Sequence, residues 1–203
     1  MQLIGMLDSP YVRRAAISLR MLGIPFEHRP LSVFRDFEAF QSLNPLVKAP
    51  TLICDDGCVL VESSLIIDYA ETLAGRSLMP RDPEARRRAL RPIGLALVAC
   101  EKAVQHFYEL KRAPELRDAG WLQRVDGQLR DACGLLDAEL HEASVDRWLC
   151  GDAPTQADVT VAVAWTFTQI VAVEIVSARD YPAFAAFAAR AERLPAFKAL
   201  QPI

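Results

Sequence analysis

The fold is decided by two stretches in the first third of the chain, residues 8–14 (DSPYVRR) and residues 44–52 (NPLVKAPTL). The first joins a short apolar run to a helical pattern, and the second leads through a proline into another apolar run. A little later, residues 61–64 (VESS) begin a further helical pattern. Each stretch places hydroxyls or free backbone groups at the junction between two secondary-structure elements, where a small anionic peptide can be held.

Around these stretches, the first eighty residues alternate between the strand period and the helix period. The order βαβ-α-ββα predicts a small mixed sheet flanked by helices. Gly23 is placed to end the first helix, and residues 55–57 (DDG) form a turn between the last two strands. We expect strands over Gln2–Leu7, Phe26–Leu31, Thr51–Cys54 and Val59–Val61, helices over Pro10–Leu22 and Ser63–Leu73, and a helix or irregular turn over Phe34–Leu43.

The strand signal ends after a stretch that contains two prolines and two charges, residues 78–83 (LMPRDP). We therefore predict a mixed α/β domain at 1–78, a linker at 79–84 and an all-helical domain at 85–203. The predicted helices of the second domain are Glu84–Arg112, Ala119–Glu142, Thr155 to about Val173, Tyr181–Arg193 and Pro195–Leu200.

The composition is typical of a globular protein, with 52% hydrophobic and 24% charged residues in a chain of 203. A net charge of -3 gives no broad basic field, which argues against nucleic acid as a partner. Residues 159–176 form a long apolar run, but Gln169 and Glu174 within it favour a buried helix over a membrane span. Because the first residues have no basic segment followed by an apolar one, we expect a cytoplasmic protein without membrane contact.

The cysteines and histidines do not form a recognisable metal or redox motif. Cys54 and Cys58 are separated by a turn of three residues, which is neither a CxxC pair nor a usual zinc spacing. Cys100 and Cys133 lie in apolar helical patterns and are expected to be small buried hydrophobes. With only three histidines, dispersed along the chain, we expect no metal site.

Ser9 has two interpretations that use the same geometry. A serine followed by proline is a typical helix N-cap with proline at the first helical position. A hydroxyl at a helix N-terminus also lies where backbone N–H groups and the helix dipole favour an anion. A substrate thiolate placed there would be stabilised by a hydrogen bond from the hydroxyl.

Ala49-Pro50 and the ESS stretch are open to two interpretations as well. A proline that opens a strand is ordinary, but a cis Ala49-Pro50 bond would free the backbone of Ala49 to pair with a bound peptide. Ser63 or Ser64 is a natural N-cap for the helix that follows. The same helix start can bind a carboxylate while Glu62 accepts from an ammonium, a pairing suited to a zwitterionic amino-acid end.

In their order and spacing, these three elements resemble the thioredoxin-fold domain of glutathione S-transferases. The run at residues 9–14 (SPYVRR) is most similar to the serine-type classes, such as the plant tau group and many bacterial relatives. In the second half, residues 151–158 (GDAPTQAD) resemble the family's capping box, in which Thr155 caps a helix and Asp158 reaches back to a backbone N–H. The resemblance implies a thioredoxin-like domain followed by the all-helical C-terminal domain of that family.

For the first domain, the resemblance implies glutathione as cosubstrate, with Ser9 activating its thiol. Ala49 would pair with the cysteinyl backbone next to a cis Pro50. Glu62 and Ser63 would hold the γ-glutamyl end.

For the glycyl carboxylate, Arg35 is the first candidate and Lys48 the second. Because position 9 is not a cysteine, the sequence disfavours a covalent mixed disulfide.

For the second domain, the resemblance implies a pocket for a small electrophilic acceptor, with His106, Tyr108 and Trp165 as its candidates. Each of these residues could equally belong to the helix packing. The resemblance also implies a homodimer, with Glu62–Leu73 and Glu84–Arg112 as contact segments.

Glutathione transfer is therefore the function that the sequence favours. Isomerisation, dehalogenation and peroxide reduction share the same activated thiolate and remain open. A non-catalytic binding or regulatory module on the same fold is the rival class, because a fold does not guarantee an activity. A Ser-His-Asp hydrolase is disfavoured, since the chain contains no G-x-S-x-G stretch.

Overall fold

The computed structural model describes residues 1–142 and 147–202. A mixed α/β part is followed by a helical part, as the sequence predicted. The strands are β1 (Gln2–Ile4), β2 (Glu27–Arg29), β3 (Thr51–Ile53) and β4 (Val59–Val61), and the helices are α1 (Pro10–Leu22), α2 (Phe37–Leu43), α3 (Ser63–Ala74), α4 (Pro83–Lys111), α5 (Ala119–Glu142), α6 (Gln156–Val171), α7 (Pro182–Ala191) and α8 (Pro195–Lys198).

The four strands form one mixed sheet in the order β2-β1-β3-β4. β1 runs parallel to β2 and antiparallel to β3, and β3 and β4 form the predicted hairpin. In the register of the sheet, Ile4 faces Thr51 and Thr51 faces Val61. The end of β1, the start of β3 and the end of β4 therefore lie side by side.

Helix α1 begins and ends where its sequence signals predict. Ser9 is the N-cap and Pro10 the first helical residue, while Gly23 adopts the left-handed conformation at φ 77°. The N–H groups of Gly23 and Ile24 donate back to the carbonyls of Arg20 and Leu19, which satisfies the last turn.

Arg13 and Arg14 of α1 are buried, although arginine side chains are usually exposed to solvent. They are 1% and 3% exposed. Nε of Arg13 donates to the carbonyl of Leu200 at 2.8 Å, and its guanidinium lies 5.6 Å from the centre of the Phe197 ring. Both guanidinium groups are tolerated in the interior because they find hydrogen-bond acceptors there.

The chain divides into two compact units, residues 1–78 with 194–203 and residues 79–193. The first unit thus includes the segment that begins at Leu194, which lies within the helical domain predicted from the sequence. The contact between Arg13 and the carbonyl of Leu200 explains this grouping, because it fastens the C-terminal segment to α1.

Within the second unit, α4 packs against α5 and α6, and α6 is buried along most of its length. Asp158, in the first turn of α6, is 1% exposed. Its carboxylate accepts hydrogen bonds from the N–H of Leu149 at 2.9 Å and from the N–H and hydroxyl of Thr155, both at 2.7 Å. Burial raises the pKa of Asp158, and the hydrogen bonds from Leu149 and Thr155 act in the opposite direction.

Across residues 1–142 and 147–202, none of the helices has the length and apolar character needed to cross a membrane. The apolar run that begins at Val159 forms most of α6, a helix buried among its neighbours.

Candidate functional site

Three of the predicted site segments emerge at one edge of the sheet. Because Ile4, Thr51 and Val61 are neighbours across the strands, the loop after β1, the residue before β3 and the residue after β4 share that edge. These positions carry Ser9, Pro50 and Glu62. The sheet thus brings together Ser9 and Glu62, which are more than fifty positions apart along the chain.

Ser9 lies at the N-terminus of α1 with an extended backbone at φ -68° and ψ 124°. Its hydroxyl accepts from the N–H of Val12 at 3.5 Å, which is long for a hydrogen bond. The backbone carbonyl of Ser9 already accepts from Arg13 at 2.9 Å. The side chain is therefore a weak helix cap, and its O–H remains available to donate to a ligand.

Gly5 allows the loop before Ser9 to lie against the Ala49 segment. Its φ is +134°, and a Cβ at this position would lie 2.6 Å from a methyl of Val12 and 3.1 Å from the Cβ of Ala49. A larger side chain here would push apart α1 and residue 49. This close approach explains why a glycine follows β1 in the loop over residues 5–9, which we call the serine loop.

The Ala49-Pro50 peptide bond is cis. Among the described residues, none forms a hydrogen bond with the backbone N–H or C=O of Ala49. These two groups lie directly before β3 and can pair with a peptide that adds to the sheet edge.

A buried amide supports the loop that leads to Ala49. Asn44 is 3% exposed; its Nδ2 donates to Thr51 Oγ1 at 2.8 Å, and its Oδ1 accepts from the N–H of Leu46 at 3.0 Å. Thr51 Oγ1 in turn donates to the carbonyl of Lys48 at 2.6 Å. Asn44 was not among the site residues predicted from the sequence, although an asparagine followed by proline is a turn signal that could have indicated it.

Glu62 is the N-cap of α3, which corrects the expectation that Ser63 or Ser64 has this role. Its Oε2 accepts from the N–H of Ser64 at 3.0 Å and of Leu65 at 3.3 Å, and its Oε1 accepts from the hydroxyl of Ser63 at 3.2 Å. One lone pair of Oε1 is left over for a further donor. The carboxylate is therefore both a helix cap and a possible partner for an ammonium.

Glu62 and Val47 are the two residues other than glycine with positive φ in the described chain, at 74° and 47°. Such a backbone costs an L-residue on the order of 1 kcal/mol. Val47 lies two residues before Ala49, so both positions border the proposed peptide-binding edge. Strained backbone concentrates at functional sites, which supports a binding role for this edge.

Arg14 joins α1 to the start of α3. Its Nη1 donates to the hydroxyl of Ser63 at 2.9 Å and to that of Ser64 at 3.0 Å. Ser63 is 1% exposed, whereas Ser64 is exposed. Arg14 was not among the site residues predicted from the sequence.

The two candidates for the glycyl carboxylate differ in their surroundings. Arg35 is exposed, and its guanidinium reaches the sulfur of Met6 at 3.9 Å, in the loop that leads to Ser9. The side chain of Lys48 is exposed and bonds no other described residue. The guanidinium of Arg35 therefore contacts the serine loop. Lys48 is a candidate only because it precedes Ala49 in the sequence.

The three acceptor candidates lie in the helical unit. Nδ1 of His106 is 2.8 Å from Asp126 Oδ1, and His106 is 6% exposed. Tyr108 is exposed, with its ring 5.8 Å from that of Phe107. Trp165 is buried against Phe184, with ring centres 5.0 Å apart. The structure thus gives His106 a hydrogen-bond partner and Trp165 a packing partner, and their place in an acceptor pocket stays a prediction.

The cysteines are all in the free thiol form in the described chain. Burial raises the pKa of Cys133 to about 12, so this thiol is protonated at neutral pH. Across residues 1–142 and 147–202, the His, Cys, Asp and Glu side chains form no cluster of three or more suited to a metal ion.

The sequence matches two protein-family models, the glutathione S-transferase N-terminal domain over residues 3–78 and the glutathione S-transferase C-terminal domain over residues 119–190. Among curated proteins, the maleylacetoacetate isomerase of Mus musculus is 29% identical over 152 residues, which cover 72% of this chain and 68% of the mouse protein.

Two solved structures extend the comparison. A glutathione S-transferase of Methylobacterium radiotolerans, in complex with glutathione sulfonate, has a TM-score of 0.90 at 27% identity and covers 99% of this chain and 94% of its own. A glutathione transferase family member of Pseudomonas fluorescens with bound glutathione has a TM-score of 0.81 at 29% identity, covering 100% and 98% of the two chains. The chain belongs to the glutathione S-transferase superfamily.

Proposed function

We propose that the protein is a glutathione transferase in which Ser9 stabilises the glutathione thiolate for attack on a small electrophile. The observation that carries the proposal is the convergence of Ser9, Ala49 and Glu62 at one edge of the sheet. The relatives from Methylobacterium radiotolerans and Pseudomonas fluorescens, with glutathione sulfonate and glutathione bound, support it.

The groups at this edge match glutathione part by part. The hydroxyl of Ser9, at the positive end of α1, suits the thiolate, and the backbone of Ala49 suits the cysteinyl peptide groups. Glu62 Oε1 suits the γ-glutamyl ammonium, and Ser63 at the start of α3 suits its carboxylate. Arg35 suits the glycyl carboxylate better than Lys48, because its side chain is held at the serine loop.

In this mechanism the protein supplies proximity and an ionised thiol. The hydroxyl of Ser9 donates to the sulfur without losing its own proton, which lowers the pKa of the thiol. The thiolate then attacks the electrophilic carbon of a neighbouring substrate, and the new S–C bond forms on glutathione, not on the protein.

A glutathione titration by isothermal calorimetry tests the proposal. We expect a dissociation constant between micromolar and millimolar, together with a thiol pKa for bound glutathione that is lower than in solution. Absence of binding would overturn the proposal and leave the rival interpretation, a non-catalytic module on this fold.

Glutathione-dependent isomerisation is the second candidate, because the mouse relative is a maleylacetoacetate isomerase. It needs the same activated thiolate and differs in releasing glutathione unchanged. Assays of the glutathione-loaded protein with a cis-alkenoic diketo acid and with a chloronitroarene separate the two candidates. Turnover of the first without glutathione consumption would make the protein an isomerase.

Replacing Glu62 with glutamine is expected to weaken glutathione binding about tenfold, close to 1.4 kcal/mol. The amide oxygen keeps part of the helix cap, but the charge that attracts the ammonium is lost. Calorimetry with glutathione and with its analogue lacking the glutamyl amine measures the effect, and Glu38→Gln, in the first turn of α2, is the control. An equal loss of affinity for both ligands would show that Glu62 does not bind the ammonium.

We further propose a cytoplasmic homodimer. Both segments expected to form its interface expose large apolar side chains, Leu65 and Leu73 on α3 and Leu90 and Val98 on α4. Sedimentation equilibrium gives the mass in solution, and a monomer at micromolar concentration would contradict the dimer.

A further inference from the structure

The start of α3 contains two serine hydroxyls whose hydrogen-bonding roles differ. The hydroxyl of Ser63 accepts from Arg14 and donates its proton to Glu62, so its proton is used within the protein. The hydroxyl of Ser64 accepts from the same nitrogen of Arg14, and its proton is donated to no other described residue. Because Ser64 is exposed, its O–H can donate to a ligand.

The backbone N–H groups at this helix start are also unequal. Those of Ser64 and Leu65 are capped by the carboxylate of Glu62. The N–H of Ser63 bonds no other described residue. The donors left for an incoming carboxylate are therefore the N–H of Ser63 and the O–H of Ser64.

A ligand carboxylate at the start of α3 would be repelled, because the carboxylate of Glu62 already occupies the helix N-terminus. Two like charges at close range repel one another. The hydroxyl of Ser63 links the guanidinium of Arg14 to Glu62: it accepts from Arg14 at 2.9 Å and donates to Glu62 at 3.2 Å. Being 3% exposed, Arg14 is little screened by solvent and supplies the compensating positive charge.

We infer that Arg14 is a positioning residue for the glutathione site: it holds the hydroxyls of Ser63 and Ser64 so that Ser64 donates to the γ-glutamyl carboxylate. The inference rests on the proposed function and adds two residues to it. The interaction is charge-assisted, since each serine oxygen accepts from a cation and its O–H becomes a stronger donor.

Arg13 provides a matched control for Arg14. The two arginines are adjacent on α1 and almost equally buried, but Nε of Arg13 donates to the carbonyl of Leu200, whereas Nη1 of Arg14 donates to the two serines. Arg13→Gln and Arg14→Gln therefore remove a buried cation of the same size from the same helix. A purely structural role predicts the same phenotype for both variants.

The test is the affinity of each variant for glutathione and for the analogue in which the γ-glutamyl carboxylate is an amide. We expect the wild type and Arg13→Gln to prefer glutathione over the amide by the same factor. For Arg14→Gln we expect the KM for glutathione to rise about tenfold, the preference to fall to a factor of about two, and kcat at saturating glutathione to change less than threefold.

Ser64→Ala tests the inference without disturbing the interior, because Ser64 is exposed. We expect it to lower the preference for glutathione over the amide several-fold, and to have little further effect when combined with Arg14→Gln. Arg14→Lys, which keeps the charge, should recover part of the preference.

An unchanged preference in both Arg14→Gln and Ser64→Ala would overturn the inference while leaving the proposed function intact. If the wild type itself does not bind glutathione, the proposed function fails first. The two failures are thus distinguished by the same titrations.

Discussion

Replacing Ser9 with alanine is expected to lower kcat/KM for glutathione conjugation by ~10²-fold and to return the pKa of the bound thiol towards that of free glutathione. The loss of one hydrogen-bond donor to a developing anion costs ~10²–10³ in kcat. The lower end applies because a thiolate is a weaker acceptor than an oxyanion. Stopped-flow titration of thiolate absorbance gives the pKa, and initial rates with an electrophile give kcat/KM.

Measuring the free energy of unfolding separates the helix-capping role of Ser9 from its proposed role in stabilising the thiolate. The hydrogen bond from Val12 to its hydroxyl is 3.5 Å long, so the alanine variant should lose less than about 1 kcal/mol in free energy of unfolding. Ser9→Thr keeps the donor and should retain most of the activity. If Ser9→Ala keeps wild-type rates and thiol pKa, Ser9 is a helix cap and the thiolate is stabilised by other groups.

The second large effect is expected at Asp158, which is far from the proposed chemistry in sequence and lies in the helical unit. Asp158→Ala should lower the free energy of unfolding by about 3–5 kcal/mol, because it leaves three donors without their acceptor. These donors, on Leu149 and Thr155, are fixed by the turn that leads into α6. Urea unfolding followed by circular dichroism measures the loss.

Asp152 is the control for Asp158, since it belongs to the same turn and its side chain is 92% exposed. Its ion pair with Arg147, at 3.3 Å, is a surface contact, so Asp152→Ala should change stability by less than about 0.5 kcal/mol. Comparable small losses in both variants would mean that the capping box does not hold α6.

Local signals were sufficient to predict much of the fold. The ends of α1 follow from Ser9, Pro10 and Gly23, all of which act within one turn of the helix. The thioredoxin-like and helical character of the two halves, and membership of the superfamily, are confirmed by the element order and the two family models. Strand ends were less well predicted, as β1 stops at Ile4 and not at Leu7.

The two buried arginines show that a local sequence pattern does not reveal contacts with residues far away along the chain. Arg13 and Arg14 have the polar character of solvent-facing helix residues, but their acceptors lie 187 and 49 positions away along the chain. Likewise, the N-cap preference of serine favoured Ser63 or Ser64 as the cap of α3, but Glu62 takes that role with a positive φ. The isomer of the Ala49-Pro50 bond was undecided for the same reason.

The roles of the site residues in binding glutathione remain predictions. Sequence order was enough to select Ser9, Ala49 and Glu62, and the sheet register explains why they share one edge. The part of Arg14 and Ser64 became visible only with the hydrogen bonds between α1 and α3.

The return of residues 194–203 to the first unit has a consequence for the order in which the protein is made. On the ribosome, residues 1–78 emerge before the helical unit, but the guanidinium of Arg13 meets the carbonyl of Leu200 and the ring of Phe197 only after the whole helical unit has been synthesised. The helix that carries Ser9 and Arg14 therefore completes its packing last. A ribosome that stalls within the helical unit leaves the first unit without these last packing contacts.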